Sequence, residues 1–163
     1  MSERVSVCHP IPPVFDAHSR VLILGSFPSV RSREEGFFYG HPQNRFWRVM
    51  ASLLCVDIPR TVAQKREMLL SHGIALWDVL ASCEIEGSAD STIKNAVPND
   101  ISVILNAARI EKIFVNGKGA EKYYNKYIKK SVGREAVCLP STSPANAAWS
   151  AEALADAWRV MFK

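Results

Sequence analysis

A three-layer α/β/α sandwich around a central, mostly parallel four-stranded sheet is the fold this 163-residue sequence predicts. Three observations carry the prediction. Four compact apolar runs recur along the chain, each closed by Gly, Pro or a polar residue. Helical patterns separate them. The runs themselves are uninterrupted, as strands covered on both faces are, rather than alternating apolar and polar.

The first run is VLILG (21–25), β-branched and aliphatic and stopped by Gly25. Two helical patterns follow, over 45–54 and 61–73, the second with Gly73 as its C′ stop. GIALWDVL (73–80) is the second strand, and Asn99 or Asp100 is placed to cap a helix over 100–110. KIFVNG (112–117) is the third strand, followed by a helix over 118–130. AVCLP (136–140) is the fourth, and a helix over 150–162 carries Leu154, Trp158 and Met161 at core spacing. The order β-αα-β-α-β-α-β-α is that of an α/β domain. With no internal repeat or linker, the chain reads as one domain over 1–163, residues 1–19 being an N-terminal extension that packs on it.

The composition is ordinary, 48% hydrophobic and 22% charged, with a net charge of +4. The positive charge is clustered. Residues 112–134 hold seven Lys/Arg against the single acid Glu121, and the segment 31–48 adds Arg31, Arg33, Arg45 and Arg48. Such clustering points to an anionic partner, nucleic acid first, against the plainer reading of a solvated helix face. No apolar run nears the ~18 residues of a membrane span, and the N-terminal stretch lacks a signal-peptide core, so a cytoplasmic, nucleoid-associated location and no membrane partner are expected. Cys8, Cys55, Cys83 and Cys138 form no CxxC pair, which argues against zinc or an iron–sulfur cluster. Reduced, mostly buried thiols are expected, with no metal and no cofactor. Nothing in the chain demands more than a monomer.

In parallel sheets ligands bind at the carboxyl ends of strands, so the segments after Gly25, Trp77–Asp78, Asn116–Gly117 and Pro140 are where a site belongs. The segment 25–44 is nearly twenty residues without a helix or strand pattern, a length that usually signals function. At its end GFFYGHPQNRFW (36–47) gathers five of the chain's fifteen aromatic residues. Rings held there would make a wall for a flat heterocycle, unless they merely pin the loop. PSTSPAN (140–146) precedes the last helix, and its hydroxyls and backbone N–H groups suit a phosphate, or simply a helix start.

GSFPS (25–29), GHPQNRFW (40–47) and STSPAN (141–146), in this order, resemble the signature loops of the uracil-DNA glycosylase superfamily, and most closely its hypoxanthine-DNA glycosylase branch, family 6. The resemblance covers most of residues 20–160. It implies that Gly25, Ser26, Phe27, Pro28 and Ser29 match the first motif, which forms part of the base pocket. Most branches place Asp or Asn third in that motif to handle the attacking water, whereas this chain has Phe27. In the hypoxanthine branch the catalytic residue is instead the Asn of GHPxNxFW, here Asn44. Ser141, Thr142, Ser143, Pro144, Ala145 and Asn146 match the second motif, which enters the minor groove of double-stranded DNA where a deaminated base has left the stack.

Cleaving an N-glycosidic bond builds positive charge on the sugar and negative charge on the base, so a positioned water and donors aimed at the base are needed. The Asn44 amide suits the first task, with helix capping as its structural alternative. Phe38, Tyr39, His41 and Asp78 join the expected base pocket, although Asp78 equally suits capping a turn and His41 an oriented loop. Ser29, Arg45 and Lys118 join the second loop as expected DNA contacts. Phe46 and Trp47 are expected to anchor Asn44 from behind. No motif presents a lysine for Schiff-base chemistry, so a monofunctional enzyme leaving an abasic site is expected. A uracil or mismatch-specific glycosylase of the same fold, and a lesion-binding protein without turnover, are the rival readings.

Overall fold

Leu22, Ile23 and Leu24 are 0% exposed, which is what an unbroken apolar run demands when both faces of a sheet are covered. Burial of each such side chain contributes ~1.5–3 kcal/mol. They lie in β2 (Val21–Gly25), one of two inner strands of a four-stranded parallel sheet in a computed structural model that describes residues 4–163. β2 pairs with β3 (Ile74–Asp78) on one side and β6 (Lys112–Asn116) on the other, and β6 pairs with β7 (Val137–Leu139), giving the order β3-β2-β6-β7. The connection after β2 leads outward to β3 and the one after β6 leads the opposite way to β7, which opens a crevice at the strands' carboxyl ends between β2 and β6.

Alternate residues of β2 serve the two faces. Ile23 packs with α2 (Phe46–Leu54), α3 (Val62–Ser71) and α7 (Ala151–Trp158). Leu22 and Leu24 pack with α4 (Ser102–Ala107) and with Ala120 and Tyr123 of α5 (Lys118–Tyr123). The three layers and the four parallel strands are those the sequence predicts, and the helix of 61–73 ends at Ser71 with Gly73 in the left-handed region at φ 71°.

The second face holds something more. β1 (Arg4–Cys8), β4 (Leu80–Glu86) and β5 (Lys94–Pro98) form an antiparallel sheet in the order β1-β4-β5. The run 73–80, expected as one strand, is therefore two. Val79 N donates to Gly25 O and Leu80 N to Ser26 O, and the chain turns there from one sheet into the other. This second sheet has one wet face, and β4 alternates buried Leu80, Cys83 and Ile85 with charged or half-exposed neighbours. β5 (KNAVP) has no buried residue, so no apolar run marks it.

Three further expectations change. Segment 25–44 contains a helix, α1 (Val30–Glu35), with Ser29 Oγ accepting from Ser32 N at its start and Gly36 at φ 73° ending it. Only Ser32 is buried, so α1 has no apolar stripe for periodicity to detect. The helix of 118–130 is broken by a π-helical turn, Tyr124–Ile128, before α6 (Lys129–Val132). Of the cysteines, Cys8 and Cys55 are exposed and only Cys83 is fully buried, its thiol pushed up to about 11 by desolvation. All four are free thiols. Among the described residues no helix is long and apolar enough to cross a membrane.

Candidate active site

Gly25, Asp78, Asn116 and Leu139 are the last residues of the four parallel strands, and all four line one cavity of about 1110 Å³. The two loops singled out in the sequence close over it. Every expected pocket residue (Gly25, Ser26, Phe27, Pro28, Phe38, Tyr39, His41 and Asp78) reaches this cavity, and so does Asn44. Ser29, Lys118 and the second loop from Ser141 to Asn146 also line it. Arg45 does not.

Asn44 is half-buried, held in a turn by its N–H donating to His41 O at 2.9 Å. Its Oδ1 accepts from Phe46 N at 3.0 Å. The N-cap position of α2 is Arg45, without a side-chain cap, so Asn44 stands one residue before it and lies against the cavity: one lone pair is tied to the first N–H of α2, while the other and the Nδ2 group have no such tie. Behind it Phe46 and Trp47 are core, 0% and 5% exposed. Trp47 Nε1 donates to Phe38 O, and Phe37 stacks on Trp47 with ring centroids 5.9 Å apart. The aromatic cluster therefore divides. Phe37, Phe46 and Trp47 are packing, and of this cluster Phe38 and Tyr39 line the cavity, Phe38 while remaining part of the core. His41 is exposed, its Nδ1 accepting from Gln43 N at 3.1 Å, a turn-forming role.

The second loop is held by distant residues. Asn116 Oδ1 accepts from Thr142 N at 3.1 Å and its Nδ2 donates to Thr142 Oγ1 at 3.0 Å. Gly117, at φ 93°, lets the loop come close; a Cβ there would lie 2.9 Å from Ser141 Cβ. The guanidinium of Arg45, an expected phosphate contact, donates to the carbonyls of Ser143, Asn146 and Trp149 and staples the loop to the start of α2. The hydroxyls of Ser141 and Ser143 accept from Ser143 N and Ala145 N, which shapes the loop from within. Arg45→Ala is therefore expected to raise the KM for DNA several-fold through a loosened loop. Folding stability should fall by ~1–3 kcal/mol, since three carbonyls lose their donor. Steady-state kinetics beside thermal melts check both.

Asp78 is 3% exposed as a residue, and its Oδ2 lies 2.8 Å from His9 Nε2. Ile11 N donates to His9 Nδ1 at 3.2 Å, so the ring proton sits on Nε2 and is given to the carboxylate. His9 is boxed by Phe27, Phe38 and Trp77, with ring centroids 5.9, 6.0 and 6.3 Å away. The other carboxylate oxygen, Oδ1, points over Gly25, where a Cβ would lie 2.4 Å from it and 2.9 Å from Tyr39 Oη. That hydroxyl is buried and has no hydrogen-bond partner among the described residues. Burial, with the Asp78 charge adding to it, pushes the phenol well above its ordinary pKa, so it keeps its proton. Tyr39 also holds φ 53°, a conformation costing ~1–3 kcal/mol in a bulky residue, with its ring stacked on Phe46 at 4.2 Å.

Sequence reasoning missed His9 and Asp90. Asp90 Oδ2 accepts from Ser26 Oγ at 2.6 Å at the cavity's edge, and desolvation of its carboxyl raises its pKa while the Ser26 bond lowers it. Neither residue carries a local signal, because His9 stands 69 positions from its partner and Asp90 stands 64 from its own.

The uracil DNA glycosylase superfamily model matches residues 12–162. The chain belongs to that superfamily. It is 35% identical over 154 residues to a hypoxanthine DNA glycosylase of Methanosarcina barkeri, covering 93% of this chain and 96% of that protein. With a second hypoxanthine DNA glycosylase, from Methanosarcina acetivorans, it shares 33% identity over the same coverage. The fold is similar to the solution NMR structure of a protein put forward as a uracil DNA glycosylase in Methanosarcina acetivorans. There the TM-score is 0.77 at 31% identity, covering 94% of this chain and 97% of the other. Phe27, third in the GSFPS loop, is 8% exposed and packed edge-on to His9. Among the described residues no group of three His, Cys, Asp or Glu is placed to hold a metal.

Proposed function

We propose that this chain is a monofunctional hypoxanthine-DNA glycosylase. It acts on double-stranded DNA containing a deaminated base, draws the nucleotide out of the stack, and hydrolyses its N-glycosidic bond to leave an abasic site. The observation that carries this reading is Asn44, a neutral amide at a cavity at the carboxyl ends of four parallel strands, with its side chain fixed from one side by Phe46 N. Extrusion of the base costs a few kcal/mol and least at a mismatched or damaged pair, which favours lesions from the start. Once inside, the base lies against Phe38 and Tyr39. The free lone pair of Asn44 Oδ1 holds a water at the anomeric carbon, and the C–N bond breaks toward an oxocarbenium-like sugar.

An amide is a weak base, so much of the acceleration comes from stabilising the negative charge on the departing base. Ser26 and Phe27 offer backbone N–H groups at this edge for O6 and N7 of hypoxanthine. Ser29, Lys118 and the segment from Ser141 to Asn146 line the DNA-facing rim, with residues 1–163 acting as one domain, a monomer located in the cytoplasm at the nucleoid. No cofactor enters the reaction.

The test is release of free base from matched duplexes containing deoxyinosine, deoxyuridine or deoxyxanthosine, with borohydride present in a parallel set. Fastest release is expected from deoxyinosine, without a trapped protein–DNA adduct. Uracil released in preference would favour the mismatch-type rival. Tight lesion binding without release would make this a lesion-binding protein, and a trapped adduct would overturn the monofunctional assignment.

A further inference from the structure

Residues 112–134 carry seven Lys/Arg, and the structure sorts them into two sets. Three are tied into the fold. Lys112 Nζ donates to Lys163 O, Lys129 Nζ lies 3.0 Å from Glu135 Oε1, and Arg134 donates to the carbonyls of Ile110 and Glu111. The other four, Lys118, Lys122, Lys126 and Lys130, are exposed, and none forms an ion pair among the described residues. Glu121, the one acid of the segment, is half-buried and lines the cavity instead.

The four lysines stand four residues apart along one helical segment, ~18 Å from first to last. On an α-helix each step of four carries a side chain ~40° around the axis, so a long row leaves its face. The π-helical turn Tyr124–Ile128 is wider, so a step of four across it falls short of a full turn and reverses the drift. Beneath the row the rings of Tyr123 and Tyr127 stack with their planes 10° apart. Lys122 Nζ lies 5.4 Å from the first centroid and Lys126 Nζ 5.1 Å from the second, which steadies both ammonium groups before anything binds.

We propose that this row is a second DNA surface, which grips the phosphates of an undamaged duplex segment while the cavity holds another. Exposed ammonium groups in file suit a phosphate backbone, whose charges recur every ~3.4 Å along each strand, and such contacts carry no sequence preference. The direction of the row decides which duplex it meets. β6 and β7 are parallel, so the helical segment joining them runs from the carboxyl edge of the sheet back to the amino edge. The row therefore starts at the cavity rim with Lys118 and leads away from it to Lys130. DNA lying across the strand ends would have to turn sharply to follow it. That bend costs more than a few exposed lysine–phosphate contacts return, whereas a separate segment meets the row unbent. The inference rests on the glycosylase reading for DNA as its partner, and two such faces let the protein pass between segments without release into solvent.

The test uses the full protein saturated with a short hairpin duplex carrying 2′-fluoro-2′-deoxyinosine, whose fluorine slows hydrolysis by destabilising a cationic sugar. Binding of a second, fluorescent, undamaged duplex is titrated at several salt concentrations. A Kd of ~10⁻⁶–10⁻⁴ M is expected at physiological salt. Lys122→Gln, Lys126→Gln and Lys130→Gln together should weaken that binding at least ~10-fold at low salt and make the log–log salt slope shallower by ~2–3. Arg at the same three positions keeps the charge and should keep the binding. Hypoxanthine release from a short duplex should be unchanged in both variants.

The inference is overturned if the loaded wild type takes up no second duplex, or if the Gln variant takes it up as tightly. Weakening confined to long lesion duplexes seated at the cavity would assign the row to the flank of that duplex and overturn the second-segment reading. If the wild type releases no base at all, hydrolysis fails as the function. Uptake of the undamaged duplex, with or without the hairpin, still decides the row, since no turnover enters that measurement.

Discussion

Asn44→Ala is expected to lower the rate of hypoxanthine release from deoxyinosine DNA by ~10²–10³-fold, the usual loss when a single water-orienting or charge-stabilising group is removed from an enclosed site. The same change removes the acceptor for Phe46 N, so a stability loss of ~1 kcal/mol comes with it. The two effects need separating, and Asn44→Ser does so. A serine hydroxyl can accept from a backbone N–H two residues on, as the aspartate of an Asx turn does, yet it is too short to present a second polar group at the anomeric carbon. Ser is therefore expected to recover most of the lost melting temperature and little of the lost activity. If Ser restored both, the residue would only hold the start of α2, and the catalytic assignment would fall. Single-turnover kinetics on a deoxyinosine duplex, beside denaturant titrations of the three proteins, decide it. Turnover unchanged in Asn44→Ala would be the most damaging outcome.

The parallel sheet was legible because its strands are buried on both faces, and residues such as Leu22, Ile23 and Leu24 must then all be apolar. The antiparallel sheet was not. Its strands need only one apolar face, and in β5 even that face is only half-buried, so KNAVP looks like loop. α1 stayed hidden for the related reason that a six-residue helix burying a single serine has no stripe to display. Where the site would be could be read from strand ends and from the two matched loops, since glycines and small polar residues at those points have few other uses.

What closes the site was not legible. His9 and Asp78 meet across 69 positions, Arg45 and the Trp149 carbonyl across 104, and Asn116 and Thr142 across 26. Each is a polar group whose partner is set by tertiary packing, and no periodicity records a partner so remote. Arg45 shows the consequence. Read from its charge and its place in the first loop it suits a phosphate, while its guanidinium meets three carbonyls of the second loop. The tyrosine of GFFYG is a similar case. Its aromatic ring was visible as a stacking surface, but the unbonded hydroxyl at its tip depends on where Gly25 and Asp78 come to lie.

Trp158 joins the core to the second loop, and Trp158→Ala is expected to cost ~3–5 kcal/mol of folding stability, the range for removing a fully buried indole. The residue is 0% exposed, stands edge-on to Phe46 with centroids 5.8 Å apart, and donates from Nε1 to Pro140 O at 2.9 Å. Pro140 is the first residue after β7, so this bond sets where the loop from Ser141 to Asn146 leaves the sheet. Phe46 in turn carries the N–H that holds Asn44. One indole therefore stands behind both walls of the cavity. Trp158→Phe keeps most of the packing and loses only the donor, leaving a buried carbonyl unpaired at ~1–3 kcal/mol. If the bond to Pro140 matters for function, the Phe variant should be folded at assay temperature and yet bind lesion DNA less tightly, with release from the bound complex little changed. Equal binding by the Phe variant and the wild type would mean that Asn116 and Arg45 hold the loop without help from the core.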